Sequence, residues 1–402
     1  MGTAGDPSLF ASLGSLEGVP DWFEPRASPA AQGIYTRTLH DALNWLAAAV
    51  PGLGLALLLA YVGHWLSGLA GALLAYEKSP ISPILLAVVL GLVLRNTVGV
   101  PKAYEAGLKL CLKTVLRIGI VLLGLGLSLQ AVAQIGLLGL PIIACCIGTA
   151  LVAVTFINRA LGLPKRLGTL IAVGTSICGV SAIVATAPVI EAEENETSYA
   201  VACITIFGLL ALFTYPILAH RLFSSETQVG LFLGTSIHDT SQVTGAGLSY
   251  AQQFASKKAM DTAVVVKLVR NVFMSVLIPL MALLYRRSAQ DGRERAPQKW
   301  HQVVPLFVVG FVALACLRSV GDLGASTGRQ AFGVVDRHAW VGFCKAVGNL
   351  APWFLASAMG AVGLGTGLGK LRGLGWKPFT VGFAAAFLVG CASTVLIKLL
   401  VP

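Results

Sequence analysis

Lys267, Arg270 and Asn271 lie at spacings i, i+3 and i+4 inside the apolar run from residue 262 to 285, so a helix carries all three on one face. A charged side chain at the centre of a bilayer costs about 2.5 to 3.5 kcal/mol on insertion scales, and two within one apolar helix need a compensating role. An ammonium, a guanidinium and an amide together form a donor set suited to an oxyanion. Two other assignments stay open at this point: pairing with an acid such as Asp239, or reaching along the helix to the nearer interface.

Two polar, glycine-containing boxes precede that helix. One reads Gly174-Thr175-Ser176-Ile177-Cys178-Gly179-Val180-Ser181-Ala182-Ile183, within an apolar stretch that ends near residue 190. The other, sixty residues on, reads Gly234-Thr235-Ser236-Ile237-His238-Asp239-Thr240-Ser241-Gln242-Val243 and closes on Gly247. Glycines permit a broken helix whose terminal N–H groups and hydroxyls can face a ligand. The candidate substrate-binding residues are therefore Gly174, Thr175, Ser176, Gly179, Ser181, Gly234, Thr235, Ser236, Ser241, Lys267, Arg270 and Asn271. His238 and Asp239 are candidates for coupling, since an imidazole beside a carboxylate can exchange a proton near neutral pH. A histidine held at a helix break by local hydrogen bonds is the competing assignment. Serines, a histidine and an aspartate also raise the question of an intramembrane protease. No His-Glu-x-x-His helix or pair of membrane aspartates occurs, so no enzyme, cofactor or metal is expected.

The elements that must hold these residues are membrane helices. Of 402 residues 56% are apolar and only 12% charged, against roughly 25% charged in a soluble domain. Apolar runs of about twenty residues, the length that spans a hydrocarbon core of about 30 Å, recur along the chain. The net charge of +11 sits mostly in short loops, which fits lipid orientation and not nucleic acid. The eight cysteines lie in or beside apolar segments without a Cys-x-x-Cys pair and read as small buried hydrophobes. Residues 1–41 read as a cytoplasmic tail and residues 42–402 as one transmembrane domain.

The expected class is an all-α polytopic membrane protein with about eleven hydrophobic segments, nine to eleven of them crossing, and two broken or re-entrant helices. The third and fourth segments are expected at residues 115–135 and 137–160. If all eleven cross, the basic loops fall on the N-terminal side, cytoplasmic by the positive-inside rule, and the acidic run Glu191 to Glu196 falls on the other. Internal symmetry points elsewhere. Ala200 and Pro216 sit 63 residues before Ala263 and Pro279, so each box and its following span form a matched pair, inverted only if both boxes are hairpins. A second correspondence joins Gly124-Leu125-Gly126-Leu127-Ser128-Leu129 to Gly363-Leu364-Gly365-Thr366-Gly367-Leu368.

The two boxes, the Lys267-Leu268-Val269-Arg270-Asn271 run and the Gly-Leu-Gly stretches resemble the signatures of the bacterial sulfate exporter family of conserved hypothetical membrane proteins, over roughly residues 45–400. More distantly the order of elements is similar to bile acid:sodium symporter-like proteins. The first resemblance implies an inner-membrane secondary transporter that exports a small oxyanion such as sulfate or a sulfonate. The second implies inverted repeats, elevator-type alternating access and a fully crossing first box, and it leaves room for a homodimer although no stretch identifies an interface. No cluster of acidic sodium ligands is evident, so the coupling ion is left open between a proton and another ion. A gated anion channel and a cation or proton antiporter are the rival readings. The partners expected are a small anionic substrate and membrane lipid.

Overall fold

The computed structural model describes residues 34–73, 82–286, 306–326, 330–367 and 376–401. Residues 1–33 of the expected tail and the basic residues Arg287, Arg293, Arg295, Lys299, Lys370 and Arg372 lie outside them. Among the described residues the chain is helical, apart from one isolated bridge between Ala331 and Val335. Among the described residues seven helices are long and apolar enough to cross a membrane, and Pro83–Thr97 is a shorter apolar one. Outward-facing side chains stay apolar, as at Val152 and Phe156, each 72% exposed, the pattern of a surface meant for lipid rather than water.

Contacts divide the chain into two units, residues 1–116 with 356–369 and residues 117–355 with 370–402. In the first unit, α1 (Ile34–Leu73) packs against α2 (Pro83–Thr97) and against a helical segment that begins at Lys102 and includes α3 (Glu105–Leu110). Glycines bring the backbones together. A Cβ on Gly52 would lie 2.8 Å from the Gly107 Cα, and one on Gly91 would lie 2.5 Å from the Gly360 carbonyl oxygen. Small residues at such crossings let membrane helices approach without intervening side chains.

The second unit begins with α4 (Leu116–Leu123) and a 3-10 turn over Gly124–Gly126. The chain then extends at Leu127, and α5 (Leu129–Ala160) starts with Ser128 as its N-cap, the hydroxyl accepting from the Ala131 N–H at 3.2 Å. The break therefore falls at 127–128 and not at the expected 135–137. Ser319 Oγ accepts from the Leu129 N–H at 2.6 Å, so a distant hydroxyl helps fix the boundary, and Pro141 lies inside the helix.

Both boxes are re-entrant hairpins. The first consists of α6 (Lys165–Ser176) and α7 (Val180–Thr186), joined through Gly179 at φ +82°, a left-handed conformation suited to glycine. The arms fold back on each other: Ile183 Cδ1 lies 2.8 Å from where a Cβ on Gly174 would sit, and Arg166 at the base reaches Glu191 at 3.9 Å. After α8 (Glu194–Leu222), opened by a Glu193 N–H to Glu196 carboxylate bond of 2.8 Å, comes the second hairpin, α9 (Glu226–Ser236) and α10 (Thr240–Phe254). Its two arms meet the same turns of α11 (Lys257–Val272). A Cβ on Gly230 would lie 2.5 Å from the Ala259 carbonyl oxygen, and one on Gly247 3.4 Å from the Met260 Cα. At its base the Phe254 ring stacks on His220, at the end of α8, with centroids 3.8 Å apart.

The hairpins enter from opposite ends of one span. Helix α11 runs on into α12 (Met274–Arg286), and the Tyr285 hydroxyl near its far end meets Thr169 Oγ1 at 2.7 Å, at the base of the first hairpin. The base of the second adjoins the start of α11. The matched pairs of box and span are thus inverted, the arrangement that the 63-residue correspondence favours. Two expectations fail. The first box does not cross, against the bile acid symporter-like comparison, and the acidic run Glu191 to Glu196 lies at the same end as Lys165 and Arg166. Glu191 there lies 3.9 Å from Arg166, and Glu196 caps the start of α8, so these two carboxylates have local partners at the end that the basic residues share. The unit is completed by α13 (Leu306–Ser326), the first part of α14 (Arg337–Gly365), and α15 (Trp376–Leu400), which lies along the second hairpin.

The hairpin geometry predicts that single cysteines at Gly162 and Ala192 react with a membrane-impermeant maleimide from the same side of oriented vesicles. Labelling from opposite sides would mean that the first box crosses.

Candidate functional site

A helix leaves its last four carbonyls without intrahelical partners, and its C-terminus carries roughly half a negative charge. Both hairpins expose such an end deep in the second unit, where α6 and α9 stop at Ser176 and Ser236. Helix α11 passes between the two tips and supplies the donors. Lys267 Nζ donates to the Ile177 carbonyl at 2.8 Å, to the Ile237 carbonyl at 3.1 Å and to the His238 carbonyl. Arg270 donates through Nε to Ser176 at 2.7 Å, through Nη1 to Thr235 at 2.7 Å and Ile237 at 3.2 Å, and through Nη2 to Thr175. The cations are 1% and 0% exposed. Their one-face spacing is the one read from sequence, but the acceptors are main-chain carbonyls of both hairpins and not the Asp239 carboxylate.

The other member of that face, Asn271, donates through Nδ2 to Thr240 Oγ1 at 3.2 Å, on the returning arm of the second hairpin. Asp239 caps that arm: its Oδ1 accepts from the Ser241 N–H at 2.7 Å, from the Gln242 N–H at 3.4 Å and from the Ser241 hydroxyl. The tips touch, because a Cβ on Gly179 would lie 3.1 Å from Asp239 Oδ2. Two full positive charges against two helix ends of roughly half a charge each leave about one positive charge over, which the adjacent Asp239 carboxylate offsets.

The hydroxyls of the boxes divide into two sets. Ser176 Oγ donates to the Ala172 carbonyl at 2.6 Å, and Thr235 Oγ1 bonds the Leu231 carbonyl at 2.7 Å and Ser393 Oγ at 2.6 Å, so both are engaged in packing. Thr175 Oγ1 and Ser236 Oγ are buried without a hydrogen-bond partner, as are both ring nitrogens of His238, Asp239 Oδ2 and Asn271 Oδ1. Buried polar atoms are nearly always paired; unpartnered ones also occur elsewhere, as at Thr186, Ser249 and Thr262, but five such side chains gather on and beside the two adjoining tips, which makes the tips the candidate site for a polar ligand. Ser181 is half-buried on the first returning arm. Gly174 and Gly234 serve close packing, the first against Ile183 and Ile204, the second against the Ala263 carbonyl and Val266.

The structure thus gathers every candidate from the two boxes and from α11 into one region. Residues outside the candidate set also belong there. Gln242 donates to the Thr205 carbonyl at 3.3 Å, and Gly208 leaves the space its amide occupies. Thr240 holds Asn271, and Ser393 on α15 braces Thr235. Gln242 and Thr240 stand in the polar box and could have been taken from it; a lone serine in the last apolar segment carries no signal of its own. Among the described residues no group of three or more His, Cys, Asp or Glu side chains is placed to hold a metal ion, and all eight cysteines are free.

Replacing Asp239 by alanine removes the cap of α10 and should lower stability by about 1 kcal/mol, while asparagine, also a good cap, should cost less. Thermal unfolding of the purified protein in detergent checks the order; equal losses would remove the capping role.

A model of the family described as conserved hypothetical protein 698 matches residues 51–382 of this chain. A UPF0324 inner membrane protein YeiH from Salmonella typhi is 32% identical over 374 residues, covering 90% of this chain and 99% of its own. The YeiH protein of Escherichia coli K12 is 30% identical over 347 residues, 85% of this chain and 91% of its own. A UPF0324 membrane protein of Fusobacterium nucleatum is 31% identical over 324 residues, 80% and 90% of the respective chains.

Proposed function

This chain belongs to the conserved hypothetical protein 698, or UPF0324, family of membrane proteins, and from that premise we propose that it is a secondary transporter of a small oxyanion, with sulfate or a sulfonate as the substrate class. The observation that carries the reading is the junction of two inverted hairpins, where Thr175 Oγ1, Ser236 Oγ and the His238 ring nitrogens are buried and unpartnered beside cation-capped helix ends. Hydroxyls and an imidazole N–H can donate to the oxygens of an oxyanion, and such bonds are stronger when the acceptor is charged. Alternating access follows if the tips, with their ligand, face one side and then the other. Relatives named as inner membrane proteins support that location for this chain; a cytoplasmic N-terminus and outward flux complete the proposal.

Reconstituted into liposomes, the protein should take up labelled sulfate with saturation and with acceleration by sulfate on the far side. Each hydrogen bond to a charged ligand contributes about 1.5–3 kcal/mol, so Thr175→Val and Ser236→Ala should each weaken apparent affinity roughly 10- to 100-fold. Non-saturating flux at channel rates would replace the carrier with a gated anion channel, and unchanged affinity in both variants would remove the tip hydroxyls from the site.

One observation favours a second reading. Asp239 Oδ2 has no hydrogen-bond partner at the tip, as a proton or cation site in an antiporter requires. Asp239→Asn abolishing ion-driven exchange while sparing sulfate binding supports coupling at this carboxylate; full ion-coupled exchange in that variant excludes it.

A further inference from the structure

We infer that Lys267 and Arg270 are positioning residues that lock the two hairpin tips to α11, so that both tips travel as one rigid block and the substrate is bound by tip hydroxyls rather than by these cations. The inference rests on the transporter reading for its use, and on geometry alone for its existence. An ammonium has three donors, and all three of Lys267 go to carbonyls. One acceptor, Ile177, is on the first hairpin, and two, Ile237 and His238, are on the second. Arg270 divides its bonds in the same way: Thr175 and Ser176 on the first, Thr235 and Ile237 on the second. Each cation therefore bridges two elements that enter the unit from opposite ends. Neither tip can withdraw from the other without leaving buried carbonyls and a buried charge unpaired, the costliest kind of unpairing in a protein interior.

Two consequences separate this from a ligand role. A gate made by one hairpin opening alone is excluded, since the tip would tear from both cations. Removal of either cation must also loosen both hairpins together, although their bases lie at opposite ends of α11 and α12.

Hydrogen exchange on the purified full-length protein without substrate reads this directly. In Arg270→Ala and Lys267→Met, amides over 172–182 and over 232–243 should both lose protection, about 10-fold or more, while α5 and the base turns keep theirs. Loosening of one tip only, or of neither, overturns the lock. Arg270→Lys, which keeps the charge with fewer donors, should fall between wild type and alanine at both tips. If the alanine and methionine variants do not insert, Arg270→Lys alone decides by the same criterion.

A cross-link tests the same lock with the charges left in place. Cys178 Sγ, at the first tip, lies 3.9 Å from Met274 Sδ at the start of α12. With the other native cysteines replaced, Cys178 and Met274→Cys joined by a short thiol-specific linker should leave sulfate exchange within about twofold of the unlinked protein. Arrest that is reversed by a reductant would show that the tip must part from the helix and would overturn the proposal. A wild type that moves no sulfate would defeat the transporter reading, while the exchange measurement would still decide the lock.

Discussion

The constraint on which the second unit depends is the charge of two interrupted helices. Stopping a helix inside a low-dielectric interior leaves carbonyls that water cannot reach, and stopping two at one place doubles the deficit. Lys267 and Arg270 meet it from a single helix face, with acceptors on both hairpins. The buried cations are thereby explained without an external anion, and the helix ends without water. Either partner alone would be unstable there; together they allow a polar junction inside an apolar bundle.

Around that core the polar atoms separate by task. Ser176, Thr235 and Ser393 are bonded within the packing, and Ser241 with the Gln242 amide is bonded to Asp239. Thr175, Ser236 and His238, with one oxygen each of Asp239 and Asn271, are left over at the touching tips. A ligand held by the second set would sense the cations through their field while touching groups that carry no charge of their own apart from Asp239.

The all-α membrane class, the two boxes and the Lys267–Asn271 face were legible in the sequence, because each is a local departure from apolar composition or a fixed spacing on one helix. The hairpins were only half legible. The 63-residue correspondence favoured them, but the charges of Glu191 to Glu196 argued the other way, since a loop-charge rule cannot see that Arg166 lies beside Glu191 at a shared base. The misplaced boundary near 127–128 has a similar origin. Many serines could cap a helix, and the group that takes the adjacent Leu129 N–H, Ser319 Oγ, lies 190 positions away. The acceptors of Lys267 and Arg270 were invisible for the same reason: main-chain carbonyls belong to every residue and leave no mark in composition.

The glycine contacts of the first unit bear on mechanics. Where Gly52 meets Gly107 and Gly91 meets Gly360, main chain rests on main chain with no side chain between. The separation of the helices at those crossings is therefore set by main-chain atoms, so a side chain larger than hydrogen at any of these glycines would have to push two helices apart.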